Sequence, residues 1–358
     1  MCSLDDRLTS MQIHTNADLA TYHTFSIPQI SQYLVEVESI DDLKNVYQRE
    51  DWGDLPKLML GKGSNVLFVE PFEGVAVVNC LRGIDVNETD TDWQLHVSAG
   101  EDWPTLVKST VEQGIGGLEN LAMIPGCVGS APIQNIGAYG AEFRDVCEYV
   151  DYLCLESMQV KRLSREQCRF GYRDSVFKHE LFPKSVIVAV GLTLTKNWSA
   201  NTQYGPLQEL QGSELTPKAI YARVCEVRSS KLPDPSLVGN AGSFFKNPIV
   251  SQRQFEKLHQ EFANIVAYPA DKGMKLAAGW LIDQCGLKGY RVGGAQVHEK
   301  QALVLINQDN ATSKDVVTLA AHVRQCVLDK FDVELEHEVR FIRSKGETTL
   351  KQLLGDKL

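Results

Sequence analysis

The hydrophobic pattern in the first part of the chain switches repeatedly between the strand period and the helix period. YLVEVESI (33–40) alternates apolar and polar positions, and GVAVVNC (74–80) and WQLHVSAG (93–100) also predict strands. IDDLKNVYQRE, behind Ser39 as a candidate cap, and WPTLVKSTVEQG (103–114) predict helices. Strand and helix signals that alternate in this way predict α/β or α+β layers.

The segment 228–243 interrupts this pattern, and its prolines and glycines predict a domain boundary or an active-site loop. Beyond it, MKLAAGWLIDQCGLKG predicts a helix, ALVLIN a strand, and TSKDVVTLAAHVRQCVLDKF an amphipathic helix capped by Thr312 or Ser313. VELEHEVRF (333–341) predicts a closing strand with one charged face, and such a face is usually solvated. We therefore expect a compact second domain after residue 240.

Composition and charge narrow the class of protein. The chain has 358 residues, of which 43% are hydrophobic and 23% charged, as is typical of a folded protein with two or three domains. No apolar run has the roughly 18 residues of a membrane span, and the N-terminus lacks a secretory signal pattern. The net charge of −10 argues against nucleic acid as a partner. Nine scattered cysteines without a C-x-x-C pair predict neither a metal site nor a disulfide framework, and favour a reduced, cytoplasmic enzyme.

GKGSNVLF (61–68) has the composition of a phosphate-binding loop without the spacing of either common type. A Rossmann fingerprint needs a glycine where Val66 stands, and a P-loop ends in G-K-[ST] with its first glycine five places earlier. The turn still offers backbone N–H groups together with the side chains of Ser64 and Asn65. It is either an anion-binding nest or an ordinary turn.

LAMIPGCVGSAPIQNIGAYGAE (121–142) is dense in glycine and has neither a helical nor a strand period. Ordering such a segment costs much conformational entropy, and its bare backbone could approach a pyrophosphate and a ring system closely. A long surface loop is the alternative, but Ile124, Ile133 and Ile136 make the stretch unusually apolar for one. We expect it to contact a ligand.

Two further segments carry candidate chemistry. In CRFGYRDSVFK (168–178), Arg173 lies among aromatic residues and is either a stacked structural residue or a carboxylate clamp. Ser243, in GNAGSFFKNP, is not in a G-x-S-x-G elbow, so we expect a hydroxyl donor in an apolar pocket. Four cationic residues either supply local positive charge or are simply solvated: Arg228, Lys231, Lys246 and Lys275.

Taken together and in this order, these segments resemble the MurB family of UDP-N-acetylenolpyruvoylglucosamine reductases, flavoenzymes of bacterial peptidoglycan precursor synthesis. The resemblance runs from about Thr24 to Ile342 and includes the type I branch features at Tyr204 and Tyr268. The family's usual N-T-F is His23-Thr24-Phe25 here. The segments that carry the resemblance are LGKGSNVLF, ENLAMIPGCVGSAPIQNIGAYGAE, CRFGYRDSVFK, KLPDPSLVGNAGSFFKNP, KLAAGWLIDQCGLKG, QALVLIN and LEHEVRFI.

The resemblance implies an α+β protein with an FAD-binding fold of the vanillyl-alcohol-oxidase (PCMH) type. FAD-binding subdomains would occupy 1–80 and 81–214, and a substrate-binding domain 215–358, with its C-terminal strand returning to the active site. FAD is the implied cofactor, NADPH the co-substrate and a nucleotide sugar the substrate, in a monomer without a metal. Two alternatives are another flavin oxidase or dehydrogenase on this fold, and a nucleotide-sugar binding protein that has lost its flavin.

The resemblance also implies roles for individual residues. Arg173 and Glu338 would stabilise negative charge on the substrate carboxylate, with Glu338 protonated in the complex, and Ser243 would donate a proton to C2. The implied cofactor-binding residues are Gly61, Gly63, Ser64, Asn65, Leu67, Pro125, Gly126, Gly129, Ser130, Ile133, Gln134, Asn135, Gly137, Ala138, Tyr139, Gly140 and Arg340. The implied substrate-binding residues are Tyr172, Tyr204, Arg228, Lys231, Asn247, Tyr268, Lys275 and Gln301.

Overall fold

The structure, a computed structural model, describes residues 11–212 and 215–355. The helices of this part are α1 Ile40–Gln48, α2 Trp103–Glu112, α3 Pro217–Lys231, α4 Gln252–Glu261, α5 Ala278–Gln284, α6 Ser313–Phe331 and α7 Leu350–Leu353. The strands are β1 Ile13–Asp18, β2 Ile30–Val37, β3 Lys57–Leu60, β4 Val66–Phe68, β5 Phe72–Asn79, β6 Ile84–Glu88, β7 Asp92–Ser98, β8 Gly137–Ala138, β9 Ala141–Glu142, β10 Cys147–Cys154, β11 Gln159–Ser164, β12 Ser185–Thr195, β13 Gly239–Ser243, β14 Ile249–Val250, β15 Ala267–Ala270, β16 Gly273–Leu276, β17 Arg291–Val292, β18 Ala295–Val297, β19 Val304–Asn307, β20 Arg340–Arg343 and β21 Gly346–Thr348.

The described chain divides into two compact units. The first unit comprises the described residues up to Thr15, Tyr33–Lys62 and Val75–Ser230. The second unit comprises Asn16–Gln32, Gly63–Gly74 and the described residues from Lys231 onward. Within the described residues, no helix has the length and apolarity that crossing a membrane requires.

The first unit is built around an antiparallel sheet with the strand order β11-β10-β12-β7-β6. Helix α2 begins behind Asp102, whose side chain accepts the N–H of Thr105. Pro104 suits the first turn because proline lacks a backbone N–H, and an N–H at this position would have no acceptor within the helix. Its buried face, including Trp103 and Leu106, packs with β7, β10 and β12 in one core. Full burial of a large apolar side chain stabilises by about 1.5–3 kcal/mol.

A second core in this unit surrounds α1, which begins with the predicted cap. Ser39 and Asp42 form a reciprocal capping box. Leu43 and Val46 on the buried face pack with residues of β2 and β5. Strands β2 and β5 belong to a sheet with the order β1-β2-β5-β3, in which β3 and β5 run parallel.

The second unit contains three small sheets and the long helix α6. Thr312, one of the two predicted caps, begins α6 in a capping box with Asp315. Its buried apolar stripe packs with β18 and β19 in a single core. The sheets have the orders β13-β19-β18-β17, β14-β16-β15 and β21-β20-β4, and in the last of these β20 runs parallel to β4.

Three predicted elements differ from the structure. Met274–Leu276 was expected in a helix but lies in β16, because β14 and β15 bind it on both edges, and the helix begins only at Ala278. The predicted strand 333–341 is regular only from Arg340, although its apolar positions are buried as the alternation requires. The loop predicted at 228–243 is shorter, because α3 continues to Lys231 and β13 begins at Gly239.

Candidate active site

The two glycine-rich loops approach one another within the first unit at Gly61. A Cβ atom added to Gly61 would lie 3.1 Å from Cys127 Sγ, near the start of the longer stretch. Cys127 forms an isolated antiparallel bridge with Asp102, which also pairs with Lys62 at 4.0 Å. Burial raises the pKa of the Cys127 thiol, so the thiol is neutral at this junction. A side chain at position 61 would press against the second loop.

Gly63, which belongs to the second unit, fills a position that only glycine can occupy. Its φ of 58° lies in the left-handed region, and an added Cβ would overlap Tyr22 O and approach His23 Cβ to 2.6 Å. Its carbonyl accepts the N–H of Thr24 at 3.2 Å. The loop backbone therefore lies directly on the His23-Thr24-Phe25 segment.

The first half of the longer stretch is held tightly against a neighbouring segment. Gly129 N–H donates to Ala99 O at 2.8 Å, and a Cβ at Gly129 would lie 2.5 Å from Ala99 Cβ. The hydroxyl of Ser130 donates to Cys127 O at 2.6 Å. Gly126 adopts a φ of 138°, another conformation that favours glycine.

The second half of the stretch turns around the buried side chain of Asn135. Its amide donates to Glu142 Oε2 at 2.9 Å and to Gly171 O at 3.1 Å, and its carbonyl oxygen accepts the N–H of Arg144 at 3.0 Å. Asn135 and Tyr139 both have positive φ, 46° and 48°. Non-glycine residues are uncommon in this region of φ, and strained ones cluster at functional sites, where the surrounding structure holds the strain.

Arg173 lies on a tight turn that is fastened to the same stretch. Its backbone has a φ of 54°, and its Nη2 donates to Gly137 O at 3.4 Å. Ser175 donates through its hydroxyl to Ile133 O at 2.6 Å. The guanidinium lies 5.5 Å from the centre of the Tyr172 ring, within cation–π range. Arg173 thus makes the aromatic contact expected of a stacked structural residue, one of its two predicted roles. Its turn is joined to the glycine-rich stretch.

Arg228 and Tyr204 lie beside this stretch in the first unit, and Tyr139 belongs to it. Arg228 Nη2 donates to Met123 O at 3.2 Å, whereas its Nε is buried without a hydrogen-bond partner among the described residues. Burial lowers the pKa of the Arg228 guanidinium and raises that of the Tyr139 phenol. The rings of Tyr139 and Tyr204 meet edge to face, 6.2 Å apart. A desolvated cation with an unused donor favours an anionic partner.

Ser243 and Glu338 belong to the second unit, where backbone hydrogen bonds join their segments. Glu338 N–H donates to the carbonyl of Phe244, the residue after Ser243, at 2.8 Å. Asn65 of the glycine loop donates from its side-chain amide to Glu338 O at 3.2 Å. Gly242, with a φ of 68°, precedes the serine at the end of β13. The structure therefore connects the loop, the serine strand and the glutamate segment.

The remaining predicted residues of the second unit lie on several elements. Asn247 accepts the N–H of Ala278 at 2.9 Å and so begins α5. Tyr268 and Lys275 are register partners on β15 and β16. Gln301 N–H donates to His298 Nδ1 at 3.1 Å. Leu67 is fully buried, so only its backbone can face a ligand, and Lys231 is the last residue of α3.

Sequence reasoning missed residues that hold these loops in place. Asn120 donates to the carbonyls of Tyr139 and Asn201 at 2.8 and 2.9 Å, and the buried Asn240 accepts the N–H of Gly242 at 2.9 Å. Both asparagines are at most 4% exposed. Each stands inside a segment that the motifs already contained, but nothing in the sequence shows which backbone carbonyl a side-chain amide will reach.

The fold and these sites define the class of protein, an FAD-binding oxidoreductase. The model of an FAD binding domain matches residues 31–161, and that of the UDP-N-acetylenolpyruvoylglucosamine reductase C-terminal domain matches residues 234–342. The chain belongs to the UDP-N-acetylenolpyruvoylglucosamine reductase family, as its similarity to individual members shows.

The members that it resembles match along almost their whole length. The reductase of Vibrio vulnificus strain YJ016 is 59% identical over 343 residues, which cover 96% of this chain and 99% of the relative. That of Vibrio cholerae strain O395 is 57% identical over 347 residues, covering 97% and 100%. The crystal structure of the Thermus caldophilus reductase, MurB, superposes with a TM-score of 0.65 at 25% identity, covering 92% of this chain and 98% of that one. The expected α+β FAD-binding fold is confirmed.

The geometry of the glycine-rich segments fits FAD. Gly63, Gly126 and Gly140 have φ values of 58°, 138° and 80°, so these backbones turn in ways that leave no side chain over the loop. Backbone N–H groups in such turns make concave sites for the oxygens of a diphosphate. Both the Gly61–Asn65 loop and the stretch from Pro125 to Gly140 thus have backbone suited to the predicted contacts with FAD.

Proposed function

We propose that this protein uses NADPH to reduce the enolpyruvyl group of UDP-N-acetylglucosamine enolpyruvate, forming UDP-N-acetylmuramate for peptidoglycan synthesis. The observation that carries the proposal is the hydrogen-bonded connection from Asn65 through Glu338 to the strand of Ser243. The connection supports the proposal because Asn65 belongs to the loop proposed to bind the flavin nucleotide, and Glu338 and Ser243 are the two residues proposed for protonation chemistry. When bound, FAD supplies hydride transfer, from NADPH to C3 of the enol ether.

The chain must stabilise the charge that appears when hydride reaches C3. Electrons then move toward the substrate carboxylate, giving an enolate with the character of a dianion. Arg173 supplies positive charge, and Glu338 supplies a hydrogen bond if its carboxyl is protonated. Groups already oriented toward such charge usually make the largest catalytic contribution.

Ser243 donates the proton that completes the reduction at C2. A serine hydroxyl is a weak acid, so a lysine or a water molecule must support the serine as it loses its proton. Lys231 is a candidate for positioning the substrate or for contacting its phosphate instead. General acid catalysis of this kind contributes about 10²–10⁴-fold to a rate.

The other assignments complete the proposal. FAD contacts come from the Gly61–Asn65 loop, Leu67, the stretch from Pro125 to Gly140 and Arg340. Substrate or nicotinamide-nucleotide contacts come from Tyr172, Tyr204, Arg228, Lys231, Asn247, Tyr268, Lys275 and Gln301.

FAD-binding subdomains occupy 1–80 and 81–214, and the substrate-binding domain 215–358. The protein acts as a cytoplasmic monomer of the type I branch.

The test follows the visible spectrum of the purified protein without oxygen. The protein is expected to be yellow, to bleach with NADPH, and to recover its colour only when UDP-N-acetylglucosamine enolpyruvate is added. UDP-N-acetylglucosamine, which lacks the enolpyruvyl group, is the matched control and should leave the protein bleached. A yellow protein that NADPH never bleaches would point to a different flavoenzyme. A colourless protein that also refuses added FAD would leave only a nucleotide-sugar binding protein.

A further inference from the structure

The segment after Arg343 carries none of the sequence motifs, and the match to the family's C-terminal domain ends at residue 342. In the structure it folds back as β21 and α7. Strand β21 pairs antiparallel with β20, with Ile342 opposite Glu347. Strand β20 itself runs parallel to β4, which follows the glycine loop directly. This C-terminal hairpin, Arg340–Thr348, therefore lies beside the loop proposed to hold the FAD diphosphate.

Arg340 is the first residue of β20 and is anchored to that loop. Its backbone N–H donates to Asn65 O at 3.0 Å, and Val66 is its register partner on β4. Its side chain pairs with Glu347 through two hydrogen bonds. Nε lies 3.0 Å and Nη2 2.9 Å from the same oxygen, Oε2.

This pairing restrains the guanidinium without occupying it. A guanidinium has five N–H groups in a planar fork, and Glu347 accepts from two of them along one edge. Nη1 and the second N–H of Nη2 form another edge of the fork, and such an edge can bind a phosphate through paired hydrogen bonds. A carboxylate on the Nε side fixes the plane in which that second edge lies.

The hairpin has other supports, so Glu347 is not needed to fold it. Glu70 accepts from Arg343 Nε at 2.9 Å and from Ser344 N–H at 3.2 Å. The hydrogen bond from Arg343 holds the pKa of the Glu70 carboxyl below its usual value. Leu350, only 2% exposed, anchors α7 in the core of the second unit. Exposed ion pairs contribute little to stability, so the Arg340–Glu347 pair is not required for that purpose.

We propose that Glu347 is a positioning residue that orients the Arg340 guanidinium toward the diphosphate of FAD. The inference rests on the proposed function, because it takes FAD as the anion that Arg340 meets. Glu347 then completes the cofactor site from a segment outside the family's motifs. The opposing effect is electrostatic, since Glu347 also places negative charge near a bound phosphate. Solvent screens that repulsion at a partly exposed site, whereas an unrestrained arginine must lose side-chain conformational entropy when it binds the phosphate.

The experiment measures binding of FAD to the deflavinated protein by quenching of flavin fluorescence. Glu347→Ala should weaken FAD binding by up to about tenfold, because the freed Arg340 side chain must then be immobilised when FAD binds. Glu347→Gln keeps one acceptor for the guanidinium and should recover most of the affinity. Glu70→Ala is the matched control, because it removes the other ion pair of the same hairpin, and it should change FAD affinity by less than about twofold.

A double-mutant cycle separates positioning from a structural role. In a protein that already carries Arg340→Ala, adding Glu347→Ala should weaken FAD binding no further, because no guanidinium remains to be oriented. Thermal unfolding of the flavin-free variants should be the same for Glu347→Ala and Glu70→Ala.

Failure of the positioning role and failure of the proposed function would give different results. FAD affinity that is unchanged or tighter in Glu347→Ala, or equal losses in Glu347→Ala and Glu70→Ala, would overturn the positioning role and leave the proposed function standing. If Glu347→Ala fails to fold, the FAD affinities of Glu347→Gln and Glu347→Lys are compared instead. Glu347→Gln binding FAD no more tightly than Glu347→Lys would overturn the proposal. Wild-type protein that binds no FAD would overturn both.

Discussion

The side-chain amide of Asn65 donates to the backbone carbonyl of Glu338 at 3.2 Å. The backbone N–H of Arg340 in turn donates to Asn65 O at 3.0 Å, so two hydrogen bonds join the glycine loop to this segment on either side of Val339. Glu338 also donates its N–H to Phe244 O at 2.8 Å. A change in the loop is therefore transmitted directly to residues that we assign to catalysis.

Replacing Asn65 should impair cofactor binding and substrate reduction together. Asn65→Ala removes one hydrogen bond and should weaken FAD binding by about three- to tenfold. Asn65→Asp should be worse, because an ionised carboxylate cannot donate and would face the Glu338 carbonyl. The measurements are FAD affinity and the rate at which the enolpyruvyl substrate reoxidises the reduced enzyme. Asn87→Asp, at an exposed asparagine that donates to Gln94, is the control. Normal reoxidation in a flavin-saturated Asn65→Asp enzyme would contradict the coupling.

Gly63→Ala should destabilise the protein and release the cofactor. The left-handed φ alone costs about 1–2 kcal/mol, and the overlap of the new Cβ with Tyr22 O adds about 1–3 kcal/mol. Gly286→Ala is the matched control, because Gly286 has a φ of 70° but nothing within 4 Å of an added Cβ. The free energy of unfolding in denaturant and the affinity for FAD measure the two effects. Equal losses in both variants would mean that the close approach to Tyr22 does not matter.

Ser243→Ala should separate the two half-reactions. Reduction of the flavin by NADPH needs no proton from Ser243 and should keep its wild-type rate. Reoxidation by the enolpyruvyl substrate should slow by at least about 100-fold, because the proton donor to C2 is lost. Stopped-flow absorbance without oxygen measures each rate separately. Ser236→Ala, in the loop where the hydroxyl donates to Asp234, should leave both rates intact. Equal slowing of both half-reactions in Ser243→Ala would identify a structural serine.

Buried His23 should make the protein less stable in acid. Burial lowers its pKa below the ordinary value of 6.5, because its ring, whose Nε2 donates to Ile27 O at 2.9 Å, is desolvated. Below about pH 6.5 the unfolded chain therefore binds more protons than the folded one. The free energy of unfolding then decreases as the pH is lowered, by up to about 1.4 kcal/mol per pH unit for one such group. The decline continues until the pH reaches the folded-state pKa.

Denaturant unfolding between pH 5 and pH 7.5 measures this dependence. His23→Gln should flatten the profile. His337, whose pKa burial also lowers, contributes to the same slope and should leave a residual dependence in His23→Gln. An identical profile for His23→Gln and the wild type would show that His23 does not titrate differently on folding.

Local sequence signals predicted many of the regular elements because their causes are local. Ser39 and Thr312 begin their helices through side chains that bond to backbone three residues on, and Gly114 follows α2 with a φ of 76°. The alternation in 333–341 correctly predicted which side chains are buried. Met274–Leu276 was wrongly predicted as helix, since only the strands on either side of it decide that it is extended.

The sequence by itself predicted the cofactor class and the candidate residues, because the motifs and their order, which carry the resemblance to the family, are written along the chain. The tertiary structure decided which of these residues meet. Asn65 and Glu338 are 273 positions apart, and their hydrogen bond exists because β4 and β20 pair in parallel. The partner of Arg340 could not be read from the sequence either, since Glu347 reaches it only through the register of a hairpin. Register depends on the packing of whole strands, so local composition does not contain it.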